Sequence, residues 1–338
     1  MRPPVFRLPI AWLAGAALLA ACEPPLPSPP PSGASSTPSG ARSTSAPAQL
    51  LIEPDAGAAA ILDLIGSARA SLWMEMYLLT ASDAISALAA RAAAGCDVRV
   101  ILEPAPYQDA GANQAAFDQL ASAGVAVRWS TSRFTFTHAK AFTIDHARLV
   151  ILTLNLTGAG LSGNREYAAV DDDPIDVASA EATFTADELG APTTVPGGRL
   201  VTSPESTRPT LLALIAGAHV ALALETEELT DPEISSALLA ARARGVAVTL
   251  TWPGPASAAG APFRTLAAAG TLVRAVAAPP IHGKVAVADA RTLYVGSANL
   301  TPTSLDDNRE MGVLLEQPAV AAQVAVTVAG DAASGSPP

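Results

Sequence analysis

Basic charge is scarce in this chain. Twenty lysines and arginines stand against 31 aspartates and glutamates among 338 residues, for a formal net charge of −11. That deficit opposes a broad nucleic-acid surface, because such binding draws much of its affinity from Lys and Arg neutralising phosphates. One or two basic side chains focused on a single phosphate remain compatible with it. Cysteine is nearly missing: Cys22 and Cys96 are the only two, and neither belongs to a metal-ligand spacing. A disulfide framework is excluded once either is otherwise engaged. Aromatic residues make up only 4% of the chain, and Trp73, Trp129 and Trp252 are expected in the core rather than as stacking platforms. Long hydrophobic runs are missing too, since Ile10 to Ala21 is too short to span a bilayer comfortably. What is abundant is apolar residue, half of the chain, enough to bury a substantial core and to fill two domains of ordinary size.

The N-terminus reads as a targeting segment. Arg2 and Arg7 precede the apolar run, which ends Leu19-Ala20-Ala21-Cys22. This resembles a bacterial lipobox, and the resemblance implies a signal peptide over 1–21, a diacylglyceryl thioether on Cys22 and an acylated new amino terminus. Two or three acyl chains anchor stably where one is marginal. Glu23 stands where Asp often marks inner-membrane retention, so the expected location is the cell envelope, at the outer membrane or periplasmic face. Cleavage takes Arg2 and Arg7 from the basic residues and nothing from the acidic ones. An anionic bilayer would not attract such a chain, and the anchor would have to supply membrane proximity. Residues 22–48 are Pro, Ser, Ala and Gly with almost no apolar bulk, the composition of a disordered tether. With Cys22 lipidated, Cys96 has no partner and is expected as a buried thiol.

The most informative pattern occurs twice. His-x-Lys-x4-Asp-x9-Asn-x10-Glu runs through His138, Lys140, Asp145, Asn155 and Glu166, and again through His282, Lys284, Asp289, Asn299 and Glu310. Each copy ends in an Asn-Arg-Glu triplet, Asn164-Arg165-Glu166 and Asn308-Arg309-Glu310. The chain has four histidines, and two of them stand in these motifs. The repeat extends beyond the motif: Pro54, Leu64, Ile65, Ala68, Glu75, Thr80 and Gly95 match Pro204, Leu214, Ile215, Ala218, Glu225, Thr230 and Gly245. The offset then shrinks, as expected for two copies of one unit with different loops rather than a short-period solenoid.

Each copy alternates helix and strand, which predicts an α/β fold of two tandem halves, each a mixed sheet flanked by helices. Helices are expected over Ala58–Ala68 and Thr210–Ala218, then Ala84–Ala94 and Ile234–Arg244, the latter two ending at the left-handed terminators Gly95 and Gly245. Strands are expected over Ser71–Tyr77, Val98–Leu102 and Ala141–Ile144, and over Val220–Leu224, Val246–Thr251 and Val285–Ala288. A helix over Val177–Leu189 falls in the acidic, then Pro- and Gly-rich connection. The expected domains are 49–190 and 191–330, with 331–338 as a flexible tail. On an extended chain, His and Lys two apart point to the same face.

These residue types fit phosphodiester cleavage. A neutral imidazole can attack phosphorus and split one hard displacement into two. A second, protonated imidazole donates to the leaving oxygen and then takes a proton from incoming water or alcohol. One histidine cannot hold both roles at once, which accounts for two copies. Lys140, Lys284, Asn155 and Asn299 supply donors to the non-bridging oxygens. No cofactor and no metal is called for.

The motifs resemble the signature of the phospholipase D superfamily, His-x-Lys-x4-Asp-x6-Gly-Ser-x-Asn. The second copy matches it in full through Gly296-Ser297-Ala298-Asn299, whereas the first reads Leu152-Thr153-Leu154-Asn155. The resemblance covers roughly Leu50 to Gln323 and implies two fused α/β halves related by a pseudo-two-fold, with one site at their interface. It implies that Glu166 and Glu310 orient the histidines, and by family analogy that His138 is the nucleophile and His282 the general acid. The sequence alone would permit the reverse. Asp145 and Asp289 sit at hairpin turns and are expected to be structural. Thr153 and Ser297 are candidates for phosphate contact or for shaping the turn. Glu75 and Glu225, recurring inside apolar strands, are candidates for the cleft lining, while His146 and His219 are expected at the surface. The substrate expected for this enzyme is a phospholipid headgroup diester, hydrolysed or transferred to an alcohol by a monomeric, membrane-anchored protein. The alternatives are a periplasmic or surface nuclease, which the acidity disfavours, and an inactive lipid-binding lipoprotein, which only Leu152 favours.

Overall fold

The computed structural model describes residues 48–338. The expected signal peptide, Cys22 and the tether up to residue 47 lie outside the described residues. The first half runs β1 (Gln49–Glu53), α1 (Ala58–Gly66), β2 (Ser71–Met76), α2 (Ser82–Ala93), β3 (Asp97–Leu102), α3 (Gln114–Ser122), β4 (Ala126–Trp129), β5 (Lys140–Ile144), β6 (Arg148–Leu152), α4 (Gly158–Ser162), β7 (Glu166–Asp171) and α5 (Pro174–Leu189). The second runs β8 (Leu200–Ser203), α6 (Thr207–Gly217), β9 (Ala221–Glu225), α7 (Pro232–Ala243), β10 (Ala247–Pro253), α8 (Ala261–Ala268), β11 (Leu272–Val276), β12 (Val285–Ala288), β13 (Thr292–Gly296), β14 (Glu310–Leu315) and α9 (Pro318–Ser334).

Both halves build the same seven-stranded mixed sheet. The orders β1-β7-β6-β5-β2-β3-β4 and β8-β14-β13-β12-β9-β10-β11 match strand for strand. β2, β3 and β4 are parallel, and the remaining pairs are antiparallel. The two sheets lie face to face, and strand alternation explains why the central strands read as unbroken apolar runs. Phe142, Val150 and Leu152 turn toward the helices of their own half, while Ala141, Leu149 and Ile151 turn toward the other sheet. There they meet Val285, Val287, Leu293 and Val295, with Val320, Val324 and Val328 of α9 closing the layer.

Local signals set the element ends. Asp173 and Asp231 cap α5 and α7 by accepting from Ile175 N and Ile234 N at 2.9 and 2.8 Å, each followed by a proline in the first turn. Gly95 and Gly245 follow α2 and α7 at φ 89° and 92°, where a side chain would be strained. Cys96 is buried and has no disulfide partner among the described residues, Trp129 stacks on Phe117 and the buried Trp252 on Phe263.

The turns carrying Asp145 and Asp289 have φ near +50° at two consecutive residues, Asp145-His146 and Asp289-Ala290. That is the mirror-image turn that matches strand twist. The Asp145 carboxylate accepts from the N–H groups of Arg69, Ala70 and Ser71 at 2.9, 2.7 and 3.0 Å. Asp289 does the same for His219, Val220 and Ala221 at 3.0, 2.8 and 2.9 Å. Each motif aspartate therefore ties its hairpin to the start of the neighbouring strand. Partial burial opposes both charges, but the three donors outweigh it and hold both carboxyls below the usual range. This stabilisation is complete above the ordinary carboxylate pKa and fades only as pH falls through the lowered one. Asp145→Ala is expected to cost about 2–3 kcal/mol in urea unfolding, with the midpoint shifted and the slope unchanged.

Two expectations need correction. Residues 331–338 are not a loose tail: α9 runs to Ser334, Asp331 is buried against Arg165, and Ser336 forms an antiparallel bridge with Ala275. A buried arginine requires a carboxylate partner, and the chain end supplies it. The helix expected from Val177 begins at Pro174, because Asp173 caps it there.

Candidate active site

His138 stands just before β5 and Lys140 is its first residue; His282 and Lys284 stand just before β12. Each lysine Nζ donates to the carbonyl of its own motif histidine, at 2.9 Å for Lys140 and 2.7 Å for Lys284.

The two copies then exchange partners. His138 N donates to Arg309 O at 2.8 Å and Arg309 N to Phe136 O at 2.9 Å. In mirror fashion, His282 N donates to Arg165 O at 3.1 Å and Arg165 N to Pro280 O at 2.9 Å. The segment before each histidine thus runs beside the Asn-Arg-Glu triplet of the opposite half. His138 Nδ1 meets Glu310 at 2.9 and 3.0 Å, and His282 Nδ1 lies 2.6 Å from Glu166 Oε1. Each glutamate therefore serves the other copy's histidine, a crossing that the motif spacing does not reveal.

Thr153 and Ser297 are fully buried and do not reach the cleft. Thr153 Oγ1 donates to Glu166 Oε2 and Ser297 Oγ to Glu310 Oε2, both at 2.6 Å. The triplet asparagines hold the same carboxylates, Asn164 Nδ2 at 3.4 Å and Asn308 Nδ2 at 3.2 Å. Leu152, the departure from the family pattern, leaves this frame intact. A Cβ on Gly296 would lie 2.6 Å from Tyr294 Oη and 2.7 Å from Gly312 Cα. In the first half Val150 replaces that tyrosine and Ala168 faces Leu152. The leucine fills room that the second half gives to a tyrosine ring. The following residue is anchored alike in both, Thr153 N to Tyr167 O at 2.9 Å and Ser297 N to Met311 O at 3.0 Å.

Glu75 and Glu225 do not line the cleft; both are buried behind it. Neither Glu75 oxygen has a hydrogen-bond partner among the described residues, and burial, with Asp187 adding to it, raises its carboxyl well above the usual range. Glu225 accepts from Tyr167 Oη at 2.9 Å and is pushed up to about 8, chiefly by burial and then by Asp331. A neutral carboxyl removes the cost of an unpaired buried charge. His146 lies at the surface beside Glu181, and His219 is exposed.

Sequence reasoning also passed over the triplet arginines. Arg309 is fully buried, with Nε and Nη2 on Asp187 at 2.6 and 3.0 Å and Nη1 on Glu205 at 2.6 Å and Ser203 O at 2.7 Å. Arg165 makes the matching contacts to Asp331 at 2.7 and 3.2 Å, to Asp55 at 2.9 Å and to Glu53 O at 2.9 Å. The repeated triplet was the signal available: an arginine between two site residues must itself be held.

The histidines, Asn155, Asn299, Tyr77 and Glu227 line one cleft of about 670 Å³. The Oδ1 atoms of both asparagines are buried there without a hydrogen-bond partner among the described residues. Burial foremost, with Lys140 and Lys284 nearby, pushes the His138 imidazole down to about 4 despite Glu310. Burial, then the repulsion of Lys284, brings the Lys140 ammonium down to about 7 against the pull of Glu310. Glu310 stays below the ordinary range because His138, Lys140 and Ser297 outweigh the effect of burial. The arrangement is a neutral imidazole with an oriented Nδ1, a second imidazole and two asparagine amides on the same cleft, and two buried lysines held on the histidine carbonyls behind it. It can perform two successive displacements at one phosphorus.

The family model described as cardiolipin synthase, PLD-like domain, matches residues 61–188 and again 211–331. No curated protein matches the sequence. Among solved structures, polyphosphate kinase from Porphyromonas gingivalis aligns at 16% identity with a TM-score of 0.67, over 83% of this chain and 46% of that one. The chain thus spans about half the length of that kinase. Phosphatidylserine synthase from Haemophilus influenzae Rd KW20 aligns at 12% identity and TM-score 0.62, over 85% and 86%. A phospholipase D family member, Nuc from Salmonella typhimurium, aligns at 26% identity and TM-score 0.38, over 41% and 95%.

Proposed function

The chain belongs to the phospholipase D superfamily, in the family of cardiolipin synthase PLD-like domains, and from that premise we propose a phospholipase D-type enzyme that cleaves or transfers phospholipid headgroups through a covalent phosphohistidine. The observation that carries this reading is the crossed pairing of His138 with Glu310 and His282 with Glu166 at one cleft. With Nδ1–H of His138 committed to Glu310, its Nε2 keeps a lone pair for phosphorus. Nε2 attacks, an N–P bond forms and a P–O bond breaks, and the leaving oxygen takes a proton from His282. Water or an alcohol then attacks the phosphohistidine while His282 takes its proton, restoring both residues. Lys140, Lys284 and the amides of Asn155 and Asn299 hold the non-bridging oxygens.

Glu227 and the exposed Glu228 at the cleft and the acidic composition weigh against a polyanionic strand and for a single diester. The anchor expected at Cys22 would bring the site to a bilayer of the cell envelope. The test is activity on mixed phospholipid vesicles and, separately, on single-stranded and duplex DNA. Headgroup release, or a phosphatidyl alcohol when alcohol is added, is expected with DNA left intact. DNA cleavage over inert vesicles would make the protein a nuclease, and silence on both a binding lipoprotein.

A further inference from the structure

The two half-sites share the His, Lys, Asp, Asn and Glu of the motif, yet two chemically different tasks must be divided between them. Beyond Leu152 against Gly296 and Thr153 against Ser297, they differ at a matched position that lies against each histidine. Leu79 bridges Leu156 while Leu229 bridges Leu300, and Thr80 N and Thr230 N donate to those two leucine carbonyls at 3.0 and 2.9 Å. The strands therefore leave the sheets in the same register, and two residues before these leucines stand Tyr77 in one half and Glu227 in the other. The Tyr77 ring lies edge-on to His138 at 4.3 Å between centroids, with Lys140 Nζ 4.9 Å from its centre. Glu227 Oε2 lies 3.4 Å from His282 Nε2 and 3.2 Å from Lys284 Nζ.

A ring nitrogen facing a carboxylate is satisfied only as N–H, and neutral imidazole has one N–H where imidazolium has two. His138 has one carboxylate in ion-pair contact among the described residues, Glu310 at Nδ1; Lys140 and Lys284 lie near it, and Glu227 acts on it from farther off. His282 has Glu166 of β7 at Nδ1 and Glu227 of the loop after β9 at Nε2, with Lys284 alongside. We propose that Glu227 is a positioning residue that keeps a proton on His282 Nε2, and that Tyr77 at the matched position leaves His138 Nε2 bare, so that two half-sites with the same His, Lys, Asn and Glu set take opposite roles. The roles rest on the phosphodiesterase reading; the protonation states do not. Burial opposes the Glu227 charge, yet Lys284, His282 and His138 together hold this carboxyl well below its ordinary range. When a diester binds, its leaving oxygen takes the place of Glu227 at His282 Nε2, and the proton crosses as the His138–phosphorus bond forms and the ester bond breaks.

Four histidines give a readable spectrum when the chain is labelled with ¹⁵N-histidine. At neutral pH the wild-type protein is expected to show His282 protonated on both nitrogens and His138 on Nδ1 alone. In Glu227→Gln, His282 becomes neutral and His138 is unchanged. Turnover of a diester with an alkyl leaving group falls about 10- to 100-fold, the scale of a lost general acid. A p-nitrophenyl diester, whose leaving group needs no proton, is nearly unaffected. Tyr77→Glu gives His138 a second proton and removes activity on both diesters. A neutral His282 in the wild type, an imidazolium that survives Glu227→Gln, or equal losses on the two diesters would each overturn the proposal. Wild-type protein inert on every diester would sink the phosphodiesterase reading instead, with the protonation states still read from the spectrum.

Discussion

His138→Ala is expected to lower diester turnover by about 10⁴-fold or more, the scale seen when a nucleophile that works as part of a unit is removed. The loss should be the same for good and poor leaving groups, because without the Nε2 lone pair no N–P bond forms with either. His282→Ala is expected to behave differently. It removes the proton donor, worth about 10²–10⁴-fold for an alkoxide leaving group, and spares much of the rate when the leaving group departs unprotonated. Measured on matched alkyl and p-nitrophenyl diesters, the two variants separate nucleophile from acid. The pH profile of kcat/KM follows from the same geometry. His138 attacks only when unprotonated, so activity falls as pH drops through about 4. Lys140 holds phosphate only as a cation, so activity also declines as pH rises through about 7. A profile whose acid limb sat at the ordinary imidazole pKa would show that burial does not act on His138 as described.

Arg309→Met is expected to cost about 3–5 kcal/mol of stability, the penalty of leaving a buried charge without its partner. The guanidinium is fully buried, and the Asp187 and Glu205 side chains it holds are 4% and 12% exposed. Neither carboxylate can turn to water when the arginine is gone. Arg165→Met should cost less. Of its two carboxylates, Asp331 is 9% exposed but Asp55 is 74% exposed and stays hydrated without it. Urea unfolding of the two variants measures the difference. Because Arg309 O accepts the His138 backbone N–H, activity should also fall in the more damaged variant where it remains folded. Equal losses in the two variants would show that burial does not set the cost.

The repeated motif made the halves, the sheet class and the principal side chains legible, since alternating apolar runs and terminal glycines report local structure that both copies share. The crossing of the glutamates was not legible. Glu166 and Glu310 lie at the same spacing after their own histidines, and only the bridges Thr137–Arg309 and Arg165–Ile281 turn each toward the opposite one. Leu152 looked like damage because its compensation lies across the sheet. That Ala168 faces Leu152 as Gly312 faces Gly296 emerges only once strand register is known. Thr153 and Ser297 stay open between phosphate contact and shaping the turn for a related reason: a hydroxyl beside a motif asparagine gives no sign that a glutamate waits behind it. Asp187 and Asp331 were lost in segments read as connection and tail, and a buried arginine is what draws both inward. Glu227 was hidden because only the matched tyrosine gives it meaning.

On the proposed mechanism the two motifs form one site that passes through a phosphate bound to His138. Rapid quenching of His282→Ala during turnover of a phosphorus-labelled p-nitrophenyl diester, followed by digestion and mass spectrometry under alkaline conditions, tests it most directly. One phosphoryl group per chain on His138, and none on His282, is the predicted result. Label on His282, label on both histidines, or sustained turnover with no labelled histidine would contradict it.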